Sequence, residues 1–243
     1  MTLGGGRLSG PRQAVLFAGL VATVLACWAY LGLMIRDMAA MAVMSGPATI
    51  AELFVMWVVM QAAMMLPSAI PMILVYARLQ SAGAACQPLF PAVALFSAGY
   101  VVVWSAFSLG AALLHAALTE TALLSATGMK LVSSPVAGLV LMVAGIYQWM
   151  PWKHACLRRC RTPLGFLMTE WREGRWGPIV MGWRHGVFCV GCCWALMCLL
   201  FAAGVMNPIW IVAIAVYVLI EKVAPHGEAI TRLVGAGLIA WGG

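Results

Sequence analysis

Apolar residues run along this chain in long blocks, and the polar residues collect between them. Blocks at 14–35, 52–78, 91–118, 135–150, 178–203 and 208–223 each predict a membrane-crossing helix. The first is about 22 residues, or about 33 Å of helix, enough for a hydrocarbon core of roughly 30 Å. Residues 229–243 are apolar again but only about 22 Å long as a helix, so they predict a short seventh span or a half-inserted tail. The block ends carry their own signals. Arg36 and Asp37 close the first block. An outer loop with Met38, Met41 and Met44 follows and ends on Ser45-Gly46-Pro47, a turn sequence. Pro67 and Pro71 each remove a backbone donor inside the second block and predict kinks. Asn207-Pro208 predicts a helix start, with Asn as N-cap and Pro at the first helical position.

The expected fold is therefore all-α: a polytopic transmembrane helix bundle with six full spans plus a short C-terminal seventh. Composition agrees: 64% of residues are hydrophobic, 9% are charged, and the mean hydropathy is +1.00. No soluble domain of this size looks like that. The net charge is +7, but the basic residues sit at block ends, a pattern of membrane orientation rather than nucleic-acid binding. Of the 14 Lys and Arg residues, all but Arg36 and Lys130 fall on one side if the N-terminus is inside. That asymmetry predicts a cytoplasmic N-terminus. Residues 1–13 are expected as a cytoplasmic tail. Residues 14–243 are expected as one transmembrane domain with a basic, cysteine-containing cytoplasmic loop at 151–178. Within that loop, 164–172 could form a short amphipathic helix on the membrane surface.

Candidate chemistry centres on Arg184–Phe201, RHGVFCVGCCWALMCLLF. At ~100° per residue, His185, Cys189, Cys192 and Cys193 fall within an arc of about 100°, with Gly182 beside them and Gly186 nearby. Three thiols and an imidazole on one face suit Cu(I), Zn(II) or an iron–sulfur centre. Cysteine also buries well as a small hydrophobe, so packing alone is the competing reading. Cys156 and Cys160 lie four apart and share a face if their segment is helical. With His154 they could converge on the His185 group near the inner face, and a reducing compartment would keep these thiols free. Met56, Met60 and Met64 repeat every four residues and form a candidate path for a soft ion, although methionine fills core gaps equally well. Isolated His115 and His226 are expected as interfacial or hydrogen-bonded residues. Glu221 and Lys222 are expected to snorkel together, and Gln61 and Gln148 to hydrogen-bond between helices. There is no Ser–His–Asp arrangement, phosphate-cradling loop or carboxylate pair, so hydrolytic and phosphoryl-transfer catalysis have no support.

Three segments carry a resemblance: MWVVMQAAMMLPSAIPM (Met56–Met72), YQWMPWKHACLRRCRTPLGF (Tyr147–Phe166), and HGVFCVGCCWALMCLLFAAGVMNPIW through EKVAP (His185–Pro225). Together they resemble a bacterial family of predicted metal-binding integral membrane proteins. That resemblance implies a multi-pass protein of the bacterial inner membrane, with Cys156, Cys160, His185, Cys189, Cys192 and Cys193 as ligands. The function expected is binding of a metal ion near the inner half of the bilayer, copper favoured, with zinc or iron as alternatives. Two other classes stand beside it. One is an accessory or assembly subunit of a larger membrane complex, its partners being lipids and other membrane subunits rather than nucleic acid. The other is a thiol oxidoreductase using Cys189 and Cys192 as a C-x2-C pair.

Overall fold

The computed structural model describes residues 10–41, 48–82, 88–125, 129–225 and 227–243, and side chains from 11–37 in the first of these segments. Among the described residues the regular structure is helical: α1 (Gly10–Met41), α2 (Ile50–Ala82), α3 (Leu89–Glu120), α4 (Ser134–Tyr147), α5 (Pro151–Arg161), α6 (Pro163–Glu170), α7 (Gly177–Ala203), α8 (Pro208–Val223) and α9 (Gly227–Gly242). Four of them, α1, α2, α3 and α7, are long and apolar enough to cross a membrane. The count becomes five if α4 and α5, bent by 64° at their break, form one broken element.

Several boundaries differ from expectation. Helix α1 starts at Gly10 and runs through Arg36 and Asp37 to Met41, because charges at a helix end do not break it and Ala39 and Ala40 are strong helix formers. Met44, the 45–47 turn, Cys86 and His226 lie outside the described residues, as do the side chains of Met38 and Met41. Helix α2 begins two residues before Glu52. Thr49 and Glu52 form a reciprocal capping box, with Thr49 N–H donating to Oε2 at 2.8 Å and Glu52 N–H to Oγ1 at 3.3 Å. The helix continues through both Pro67 and Pro71. Helix α8 has the expected cap: Asn207 Oδ1 accepts from Ile209 N–H at 3.1 Å.

The largest departure is the basic segment after α4. Expected as a loop with a short helix at 164–172, it folds as α5 and α6; α6 lies close to the expected helix and α5 is the departure. Its charges disguise a helical period: Lys153, His154, Leu157 and Cys160 are the buried positions of α5, while Arg158 and Arg159 face outward. Helix α5 packs on α7 and also meets α6 and α8, so it lies against the bundle rather than beside it.

Helix α7 is the hub. It packs on α3, α5, α4 and α8, and α2 joins α3 on the other side. Glycine sets the α3–α7 distance. A Cβ on Gly182 would strike the Phe96 carbonyl, and one on Gly99 would strike the backbone of Ile179 and Trp183. The two backbones touch where side chains would otherwise separate them. Away from the hub, α4 pairs with α9, and α1 packs mainly on α2, leaving Val15, Phe17, Leu25, Tyr30 and Leu33 exposed.

Candidate metal centre

The α7 face places His185, Cys189, Cys192 and Cys193 inside the bundle, none more than 2% exposed. Helix α5 adds Cys160, whose thiol is within hydrogen-bonding reach of Cys189 and Cys192. Cys193 reaches the same two residues. Four thiols from two helices thus meet. Buried thiols need acceptors, and here a helical carbonyl supplies one. Both Cys192 Sγ and Cys193 Sγ donate to the Cys189 carbonyl, at 3.1 and 2.9 Å.

Helix α2 contributes a thioether. Met65 Sδ lies 3.7 Å from Cys193 Sγ. Met56, Met60 and Met64 are buried along the same helix, but the methionine in contact with a thiol is the one outside that stripe. Helix α3 contributes Tyr100, whose hydroxyl donates to the Met65 carbonyl at 3.2 Å and lies 3.2 Å from Cys189 Sγ.

Lys222, at the end of α8, enters the same cluster. Its Nζ donates to Cys189 Sγ at 3.0 Å and to Ser68 Oγ at 2.9 Å, and it interacts electrostatically with all four thiols. The expected snorkelling pair of Glu221 and Lys222 is therefore corrected. Both residues are buried, and they point apart, because neighbours on a helix diverge by about 100°. Glu221 instead pairs with Lys153 of α5 at 2.5 Å. Arg161 donates to the carbonyls of Ala224 and Pro225, which ties the end of α5 to the end of α8 and holds Cys160 and Lys222 in one place.

His185 sits one turn from Cys189 in an aromatic box. Tyr100 stacks on it at 5.4 Å, Phe96 at 6.3 Å, and Phe166 of α6 meets it edge-on at 5.6 Å. Neither ring nitrogen has a hydrogen-bond partner. Such burial costs roughly 1–3 kcal/mol per unmet group, so the imidazole is held ready without an intramolecular use. Arg184 pairs with Glu170 and fixes α6 over it.

Of the other expected residues, Cys156 is in electrostatic range of Cys192, and the remaining histidines stand apart. Cys156 is half-buried against Gly191, on the flank of α7, where a Cβ would stand 2.9 Å from its Sγ. His154 faces the charges of Glu228 and Arg232 on α9 rather than the thiols. His115 is buried against Phe201, 6.1 Å between rings. Gln148 accepts from Lys153, whereas the Gln61 amide is buried with no partner, contrary to the interhelical bonds expected of it. Among the described residues no three or more His, Cys, Asp or Glu groups form a ready-made metal cage. The donors that do meet are soft sulfurs, the set that fits Cu(I) by its chemistry.

A model of the PpoB2 family, described as copper chaperone, matches residues 54–243. The chain belongs to this copper chaperone family. No curated protein and no solved structure matches it. The family's ion is the one the sulfur donors fit. The matched range covers α3 to α9 and most of α2, and so contains every residue of the copper chaperone's thiol cluster, Met65 and Lys222 included; α1 lies outside it. Tyr100, Ser68 and Met65 were not among the candidate site residues named from sequence, and Lys222 was given another role there. The one available signal was Lys222 itself, an ionisable residue in an apolar block.

Proposed function

We propose that this copper chaperone is an integral membrane protein that holds Cu(I) in the buried thiol cluster between α5 and α7. The ligands are drawn from Cys160, Cys189, Cys192 and Cys193, with the Met65 thioether beside them and His185 as a neutral donor one turn away. The observation that carries this reading is the meeting of thiols from two separate helices inside an apolar bundle. Bound Cu(I) would supply a soft, singly charged acceptor. The chain's residues do the rest. Thiolates grip it, the apolar walls exclude water and oxidant, and helices α5 and α6 cover the site from the basic side.

The finer topology follows from charge and length. In this reading the bundle has six full spans and a short seventh, and the tail and basic segment are cytoplasmic. Lipid covers the exposed apolar exterior, and the membrane is a bacterial inner membrane. Met56, Met60 and Met64 form the outer path, leading a soft ion from the far side toward Met65. The deciding experiment is a Cu(I) competition titration on the detergent-purified full chain. Wild type is expected to take up Cu(I) with high affinity, and Cys189→Ser with Cys192→Ser to abolish uptake. A wild type that takes up none, or a double variant that binds as well as wild type, would end the proposal.

A further inference from the structure

Lys222 is a buried cation with no carboxylate. The carboxylate next to it in sequence, Glu221, is taken by Lys153, and none of the ion pairs among the described residues uses Lys222. What surrounds its ammonium is sulfur: Cys189 at 3.0 Å, with Cys160, Cys192 and Cys193 in electrostatic range. Ser68 orients it from α2 at 2.9 Å, and Ser68 is itself held by donation to the Met65 carbonyl at 2.9 Å. The ammonium is therefore positioned, and it stands where a metal's anionic ligands would be.

We infer that Lys222 is the fixed counter-charge of the copper site, and that it selects a singly charged ion held by two thiolates. The inference rests on the thiol cluster being the copper site. When Cu(I) binds two cysteines, two S–H bonds break, two Cu–S bonds form, and two protons leave to solvent. The complex carries one negative charge, and the Lys222 ammonium cancels it. A divalent ion on the same two thiolates would be neutral, leaving the ammonium uncancelled in an apolar interior, where unpaired charge is expensive. To balance the charge, the divalent ion needs a third thiolate. That means a third proton must leave a buried thiol, a cost that Cu(I) on two thiolates does not carry.

Affinities of the purified full chain for Cu(I) and Zn(II) test this, each measured against a chromophoric competitor chelator. Lys222→Met keeps length and removes the charge. It is expected to weaken Cu(I) by about 100-fold while Zn(II) stays level or tightens. Lys222→Arg keeps the charge and is expected to stay close to wild type for Cu(I). Parallel loss of both ions in Lys222→Met, or an unchanged Cu(I) affinity, overturns the inference. A measurement on wild type stands independently of whether that variant folds. Ag(I), soft and singly charged, should raise the Tm of wild type at ratios where Zn(II) does not; an equal rise with Zn(II) overturns the inference. Wild type that binds no Cu(I) defeats the site itself, whereas wild type that binds Cu(I) beside an unaffected Lys222→Met defeats only the role of Lys222.

Discussion

Two lysines are buried close together in this bundle, and they differ in what they face. Lys153 on α5 meets a carboxylate, Glu221, at 2.5 Å, and also donates to the Gln148 side chain. Glu221 in turn accepts from Thr231 at 2.6 Å and Tyr217 at 3.2 Å. That network joins α4, α5, α8 and α9 through Glu221 Oε1, while Glu221 Oε2 and Gln148 Nε2 are buried without a partner. Lys222, one residue along α8 from Glu221, meets thiol and hydroxyl instead. A carboxylate completes a cation permanently. Cysteine sulfur can be a weak acceptor, a strong anion or a metal ligand, so the second cluster is open to change where the first holds a fixed ion pair. Adjacent positions on one helix, turned apart by about 100°, thus face an ion pair on one side and the thiol cluster on the other.

The sharpest way to break this comparison is to open the closed pair. Glu221→Gln leaves Lys153 charged, buried and uncompensated, which should cost about 3–5 kcal/mol. Thermal unfolding in detergent should show a large fall in Tm. Lys153→Met combined with Glu221→Gln should recover most of it, since replacing both members of a buried pair is close to neutral. If the double variant is no better than the single, the pair is not a closed unit.

Next in size is the open side. Cys189 touches Lys222 and Tyr100 and lies within reach of the other three thiols, so Cys189→Ser should weaken Cu(I) by about 100-fold or more. Its effect on Tm should be small, within about 1 kcal/mol of stability, since Ser is nearly isosteric and the Cys189 carbonyl remains as acceptor. A fall in stability as large as that of Glu221→Gln would make the thiol cluster structural and erase the contrast.

Much of this was legible in the sequence, and the rest fails for physical reasons. Long apolar blocks mark α1, α2, α3 and α7, the helices long and apolar enough to cross a membrane. Asn207-Pro208 marks the start of α8 because a cap is a local interaction. Helix α5 was hidden because Lys153, Arg158, Arg159 and Arg161 make the segment read as solvent, although Lys153, Leu157 and Cys160 keep a helical spacing on its buried side; α6 lies close to the short helix expected at 164–172. The direction of Lys222 was not legible at all. It depends on which helix stands opposite each side of α8, and the adjacent Glu221 suggested a pairing that helix geometry forbids. Met65 was passed over for the same reason. Its neighbours at 56, 60 and 64 make the regular stripe, and only tertiary packing says which methionine meets sulfur.

Met65→Leu probes that choice with a smaller effect. The thioether is neutral and contacts one thiol at 3.7 Å, so its loss should weaken Cu(I) by about 3- to 10-fold, with little change in stability because Leu and Met have similar volume. Replacing Met56, Met60 and Met64 together by Leu should leave equilibrium affinity alone and slow loading from the outer side in reconstituted vesicles. Reversed results would move the inner thioether ligand from Met65 to the stripe.

The smallest effect separates two cysteines of one helix. Cys156 and Cys160 are one turn apart on α5, and sequence spacing gives no reason to rank them. Their surroundings do. Cys160 is buried with its thiol toward Cys189 and Cys192, while Cys156 is half-buried against the open edge of Gly191. Cys160→Ser should therefore weaken Cu(I) at least 10-fold, and Cys156→Ser should stay within about 2-fold of wild type. Alkylation gives an orthogonal reading on the apo protein: a membrane-permeant maleimide should modify Cys156 well before Cys160, because access and not intrinsic reactivity distinguishes them. Copper should then slow the labelling of Cys160 and leave that of Cys156 unchanged. If copper protected both equally, the site would extend across the α5–α7 groove to Gly191, and the covered cluster would have to be redrawn as one open to that edge.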